Sequence, residues 1–275
     1  MRGFVAGAAH YAALIAATVV AVFPVYWIIA LSLMPPQDTF HVPPKWLFAP
    51  TLDSYRLLFH GYQGTDVFLH FRNSVITSVS ATAITVAVGV LGAYATSRFR
   101  FRGRSVVFTG ILIARMLPPV ALTVPLFLLL FRLGLIDTTS GLALVYAAMI
   151  LPFAFWMLHN FINTVPEEVA DAALVDGCTE LSALWRVVLP MLRPGLVSAV
   201  LFSFTFAWTD FALAAVLTNS RAKTMPLFVN SFQSSEGIAW GPMAAGTVLA
   251  ILPPVLILIV GRKWLIAGLT MGAGK

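Results

Sequence analysis

Six largely apolar stretches constrain this chain more than any other feature, because the hydrocarbon core of a bilayer is spanned by an α-helix of ~20 such residues. They run approximately over 11–34, 75–95, 106–131, 141–161, 196–217 and 243–266. An ordinary soluble domain is ~25% charged. This one is 10% charged and 59% hydrophobic over 275 residues, too few charges to cover a soluble core. Its glycines and prolines are scattered through the apolar stretches, which a membrane bundle tolerates because neighbouring helices and waters satisfy the freed backbone groups. The expectation is an all-α integral membrane protein of about six spans. It forms one continuous domain over 1–275, with a core at about 70–266, a loop at 163–195 and a tail at 267–275.

The net charge of +6 does not imply a nucleic-acid partner, because the basic residues stand mostly at the ends of apolar segments. Arg98, Arg100, Arg102 and Arg104 crowd the connection after the second stretch, and Arg262, Lys263 and Lys275 stand at the end of the sixth and in the tail. By the positive-inside rule that side is the cytoplasm, and both termini are expected there. Segments 35–74, 132–140 and 218–242 then lie outside. The first stretch is too long for a signal-peptide core and lacks a small-x-small cleavage site, so it reads as a retained helix. The segment Asp53–Phe59 has the mixed polarity of a short interfacial helix, or of a solvated loop with aromatics at headgroup level. Cys178 is the single cysteine, and His10, His41, His60, His70 and His159 show no metal-ligand spacing, so no disulfide and no metal site are expected.

The loop at 163–195 holds five of the eleven acidic residues: Glu167, Glu168, Asp171, Asp176 and Glu180. Thr164-Val165-Pro166-Glu167 has the form of a capping box with proline at the first turn, which predicts a helix through Ala172, Ala173 and Leu174. Gly177 then supplies the stop, and a second helix is expected from near Thr179 to Leu189, interrupted at Pro190. Such a helix-turn-helix serves equally well to dock a partner or to lie on lipid headgroups.

This segment resembles the EAA loop of ABC importer membrane subunits through Asp171-Ala172-Ala173, Gly177 and Leu189-Pro190, with Asp176 and Pro194 alongside. Asp171 stands where that family commonly has glutamate. Asn73-Ser74, Ala93-Tyr94-Ala95, Pro118-Pro119, Pro125-Leu126, Trp208-Thr209-Asp210-Phe211 and Gly268-Leu269-Thr270 extend the resemblance, from Pro24 onward, to carbohydrate-type permeases of the maltose-system second-subunit and glycerol-phosphate kind. The resemblance implies a type I ABC importer permease of a prokaryotic inner or plasma membrane. Its coupling residues would be Glu167, Glu168, Asp171, Ala172, Ala173, Asp176, Gly177, Leu189 and Pro190, and Thr270 and Lys275 would form a tail contact with the ATPase. It also implies a homologous second permease, two ATPase subunits carrying ATP and Mg, an extracellular solute-binding protein, and a sugar or sugar-phosphate substrate. No cofactor is expected in this chain: Gly272-Ala273-Gly274-Lys275 lacks the Ser/Thr and helix that a phosphate loop needs.

Arg115 and Asp210 lie within apolar stretches, where a charge costs at least ~2.5–3.5 kcal/mol unless it finds a partner or water. With Trp208 they could line a polar pathway. They could equally hold helices together, paired with each other, or Arg115 could snorkel to a surface. Pro118, Pro119 and Pro125 are expected to break the third helix, and Pro253 with Pro254 the sixth. An ion-gradient-driven secondary transporter is the alternative function, for which Asp210 is the one candidate carboxylate. No motif of paired carboxylates, Ser/His/Asp or clustered histidines supports an enzyme.

Overall fold

A computed structural model describes residues 2–61, 66–234 and 237–272, and the side chains of 10–61, 66–233 and 237–264. As expected, the fold is all-α, with one short strand pair among the described residues. Four helices cross a membrane by length and hydropathy: α1 (Arg2–Leu33), α3 (Val67–Arg98), α6 (Thr139–Ile162) and α13 (Trp240–Gly272). Between the first two, α2 (Asp53–Phe59) forms over the residues expected of it. The apolar pattern placed the second span at 75–95, whereas α3 is longer at both ends. Its extra turns carry polar residues, and Asn73, Ser74, Ser97 and Arg98 among them find partners in other segments.

The third apolar stretch is not one helix. It divides into α4 (Arg104–Ala114) and α5 (Pro119–Arg132), bent by 100°. Pro118 is extended (φ −65°, ψ 129°), the conformation favoured by a residue before proline, and Pro119 opens α5 where its missing N–H costs nothing. Phe108 of α4 packs on Phe155 and His159 near the end of α6. Leu130 of α5, with Leu135 beyond it, packs with Leu142 near the start of α6. The chain therefore passes from one end of α6 to the other, and the pair is a broken span. Contrary to expectation, α5 continues through Pro125 and α13 through Pro253-Pro254. A helix in lipid keeps its remaining internal hydrogen bonds because peptide groups released into hydrocarbon have no other partner.

The chain divides into two compact units, Met1–Leu69 with Phe228–Leu252, and His70–Leu227 with Pro253–Lys275. In the first, Tyr55 of α2 meets Ser32 of α1 through their hydroxyls at 2.9 Å, and Trp46 packs edge-on to Trp27 at 5.3 Å. A two-residue hairpin pairs Gln233–Ser234 with Gly237–Ile238. In the second unit, α3 and α6 run parallel: Thr85 donates to the Ala147 carbonyl, and further along both helices Thr96 meets His159. Helix α10 (Arg193–Thr209) runs the other way along α6, with Gly195 beside Phe161 and Phe202 against Phe153. Parallel α3 and α6 require one crossing between them, which α4 and α5 supply. With this broken span and α10 counted beside the four long helices there are up to six crossings, in keeping with the about six read from the sequence.

Beyond α10, α11 (Ala212–Leu217) leads into a segment fastened from two sides. Asp137, at φ 56°, receives the amides of Asn219, Ser220, Arg221 and Ala222 at 2.9–3.2 Å. From the first turns of α3, Asn73 donates to the carbonyls of Arg221 and Lys223, and Ser74 Oγ accepts from the amide of Met225, the first residue of α12 (Met225–Asn230). Burial of the Asp137 carboxyl pushes its pKa up, but the amides of Asn219, Arg221, Ala222 and Ser220 outweigh this and bring it down to about 2.

Two outcomes follow from these contacts. A Cβ at Gly195 would collide with the Phe161 ring, so G195A should lower stability by about 1–3 kcal/mol through overpacking, read as a lower thermal midpoint in detergent. Because the folded-state pKa of Asp137 is depressed, its stabilisation is complete above the unfolded value near 4 and is lost as pH falls toward about 2. D137N should cost about 1 kcal/mol at neutral pH, allowing for solvent exposure, and should show a flatter stability profile between those pH values.

Candidate functional site

The loop after α6 begins with α7 (Glu167–Val175), entered from extended Pro166. The capping box expected at Thr164 does not form: its hydroxyl donates backward to the Phe161 carbonyl at 2.7 Å, and no side chain caps α7. The threonine still lies in the preceding turn, where an i−3 carbonyl is nearer than any amide of α7. Proline and the first-turn acids Glu167 and Glu168 suffice to start the helix. Its end is as expected. Gly177 adopts φ 86°, the amide of Cys178 reaches the Ala173 carbonyl and that of Gly177 the Leu174 carbonyl, both at 3.0 Å, which is a Schellman closure.

Thr179 caps α8 (Glu180–Ala183) by accepting from the Ser182 amide. The chain then widens into a π-turn over Leu184–Val188 before α9 (Leu189–Met191). The sequence placed a break at Pro190, but the direction changes at Leu192, by 85° into α10. The wide turn is the reason, since it absorbs the missing N–H and the ring that would otherwise clash with the preceding turn.

One face of this loop is packed and the other open. Val165, Ala170, Leu184, Val188, Leu189 and Leu192 join Tyr94, Leu158 and Ile162 in one cluster. On α7 the opposite side, Glu168, Asp171, Ala172 and Val175 at helical spacing, is exposed, with Val175 at 87%. Asp176, Gly177 and Pro190 are also exposed, while Ala173 and Leu189 face inward. Leu181, Trp185 and Met191 leave large apolar surfaces uncovered on the second half of the loop.

Sequence reasoning used Arg98 only as an orientation marker and Tyr94 only as a motif letter, yet both fasten the loop. Arg98 Nη2 donates to the Val165 carbonyl at 2.6 Å, and its Nη1 lies 3.8 Å from the exposed Glu167 carboxylate. Tyr94 donates to Glu180 at 3.2 Å, and Ser97 donates to Asn163. The signal available in sequence was spacing: Tyr94, Ser97 and Arg98 share one face of the last turn of α3.

The three pathway candidates fall in different surroundings. Trp208 is buried at 2% exposure, stacked on Phe204 at 5.5 Å and edge-on to Phe71 at 5.6 Å. Asp210 stands at the break between α10 and α11, where its carboxylate accepts from Tyr146 and the amide of Leu213, each at 3.0 Å. Arg115 is exposed at the bend of the broken span, its guanidinium 4.3 Å from the centre of the Phe153 ring. The two charges thus have different neighbours rather than each other. Lys275 lies outside the described residues, and so does the side chain of Thr270, whose backbone belongs to α13.

Residues 86–270 match the family profile described as "binding-protein-dependent transport system inner membrane component". The chain is 32% identical over 255 residues to a diacetylchitobiose uptake system permease protein of Streptomyces coelicolor, covering 92% of each. It is 33% identical over 264 residues to a trehalose/maltose transport system permease protein of Thermococcus litoralis, covering 94% of this chain and 92% of that one. Its fold matches a chain of a bacterial ABC transporter that imports the acidic polysaccharide alginate, with a TM-score of 0.81, 20% identity, and coverage of 95% and 96%. With more than half of its length matched to the profile and the fold of an ABC importer permease, the chain belongs to the family of binding-protein-dependent transport system inner membrane components.

Proposed function

We propose that this chain is the membrane-spanning subunit of an ATP-driven importer for a sugar or sugar-like solute. A homologous second permease completes the pathway, an extracellular binding protein delivers the solute, and two ATPase subunits, holding ATP and Mg, drive alternating access. The loop side faces the cytoplasm with both termini. The reading of the substrate rests on relatives named for diacetylchitobiose and for trehalose/maltose.

The observation that carries the proposal is the two-sided character of α7. Its inner side, Ala170 and Ala173, is buried, Ala170 in the cluster that joins the loop to Tyr94, Leu158 and Ile162, and its outer side presents Glu168, Asp171, Ala172 and Val175 to whatever lies beneath. An acidic face is a poor match for anionic lipid headgroups and a good one for a groove on a protein. The apolar residues Leu181, Trp185 and Met191 of the second half suit the headgroup boundary instead. Small Ala172 lets the partner approach closely, and Asp171 supplies a charge on the same face.

Asp210, the carboxylate that an ion-coupled mechanism would use, caps α11 and bonds Tyr146. Arg115 remains the pathway candidate with open donors, while Trp208 belongs to the packing with Phe71 and Phe204.

A172R places a long cation on the exposed face without touching the core, so the chain should remain folded while its affinity for the ATPase falls about tenfold or more, read by co-purification from membranes. Undiminished ATPase retention in A172R and in a deletion of 167–177 would defeat the reading, as would uptake that survives ATP depletion. R98A acts differently. It frees the loop from α3 but leaves the docking face intact, so the complex should assemble while solute moved per ATP falls about fivefold or more, with partial recovery in R98K.

A further inference from the structure

The end of the second unit that holds Asp137 carries four cations: Arg72 in the first turns of α3, Arg132 at the end of α5, and Arg221 and Lys223 in the segment after α11. None of them forms an ion pair among the described residues. The carboxylate nearest in the chain, Asp137, spends both oxygens on the backbone amides of 219–222 and the Ser220 hydroxyl. The loop over 163–195 at the other end is acidic in itself, five acids against Arg186 and Arg193, although Arg98, Arg100, Arg102 and Arg104 stand at that end as well. If α7 faces the cytoplasm, this basic end faces outward, against the trend that keeps Lys and Arg on the inner side.

The segment bearing Arg221 and Lys223 is also held in place. Its backbone is tied to Asp137 by four amides and to α3 by Asn73, Ser74 and His70, whose Nδ1 lies 3.2 Å from the Lys223 carbonyl. Ala222, Thr224 and Met225 are buried between the exposed Arg221 and half-buried Lys223 and the start of α12. A loop whose backbone is tied inward at the amides of 219–222 and the carbonyls of Arg221 and Lys223 presents its charged side chains from a fixed base, which reduces the ordering cost of binding. A headgroup site needs no such rigidity.

We infer that Arg72, Arg132, Arg221 and Lys223 form a preorganised cationic docking rim for an acidic face of the extracellular solute-binding protein. This rests on the importer reading above and specifies where that partner lands. A delivery protein must arrive quickly and leave in every cycle. Charge complementarity serves this, since it raises the rate of encounter more than the lifetime of the complex. The Debye length is ~10 Å at 0.1 M salt, so the attraction should weaken visibly over an ordinary salt range.

The test uses the full complex in nanodiscs of neutral lipid, with the soluble binding protein encoded beside it, and reads the binding-protein concentration giving half-maximal ATPase stimulation. In wild type that concentration should rise steeply between about 50 and about 300 mM NaCl. R221E/K223E should raise it about tenfold at low salt and flatten the salt dependence, with the maximal rate at saturation unchanged. R221Q/K223Q should show an intermediate shift with the thermal midpoint kept. Unchanged half-maximal concentration and salt slope in both variants, with wild type responding normally, would overturn the rim and leave the importer standing. An effect of the variants that requires anionic lipid would assign the patch to headgroups and also overturn it. A wild-type complex that ignores the binding protein altogether would remove the importer reading itself, and the rim with it.

Discussion

A peptide or side-chain polar group inside hydrocarbon has no water to turn to, so the polar residues of a membrane bundle are useful only where another segment can receive them. In α3 the side chains that tie it to the loops stand near its two ends, while Thr77, Ser78 and Thr82 in between are buried without a hydrogen-bond partner among the described residues. Asn73 and Ser74 fasten the segment after α11, and Tyr94, Ser97 and Arg98 fasten the loop after α6. Between Ser74 and Arg98 the helix is unbroken over about 36 Å. A helix of that kind resists compression and bending far better than a loop does. Displacement of the loop at one end is therefore not easily absorbed along α3, and the two fastened segments move with the same rod.

The periodic and apolar features were the legible ones. Six crossings, an all-α fold, the Schellman stop at Gly177 and the N-cap at Thr179 all come from local chemistry that a short window contains. What was illegible depended on partners distant in sequence. Thr164 has the right spacing for a capping box, but the carbonyl of Phe161 competes for it. Pro190 looks like a stop, but a π-turn upstream makes room for it. Asp137 reads as an ordinary loop acid until four amides some eighty residues away converge on it, and no pattern in the sequence announces that.

The prolines show the same division. Pro118-Pro119 breaks its span and Pro253-Pro254 does not, although the dipeptide is identical. At the first pair the chain turns through 100° beside Arg115, whose guanidinium rests on Phe153 of α6. Of the two proline pairs, only the one that breaks its span thus has a charged residue at the bend. The cost of holding a cation within an apolar stretch is lowered there by the face of the Phe153 ring.

This bears on which residue a solute would meet. Trp208 is enclosed by Phe204 and Phe71, and Asp210 is engaged with Tyr146 and the start of α11, so neither can turn toward a ligand without giving up contacts that hold α10, α6 and α11 together. The Arg115 guanidinium lies 4.3 Å from the centre of the Phe153 ring, a contact that uses none of its five N–H donors. A hydroxylated or anionic solute can therefore be bound at Arg115 while the α6–α10 packing stays whole. The motif Trp208-Thr209-Asp210-Phe211 accordingly contributes rigidity where α10 gives way to α11, which leaves Arg115, at the break in the third span, as the candidate whose side chain is not committed to helix packing by hydrogen bonds.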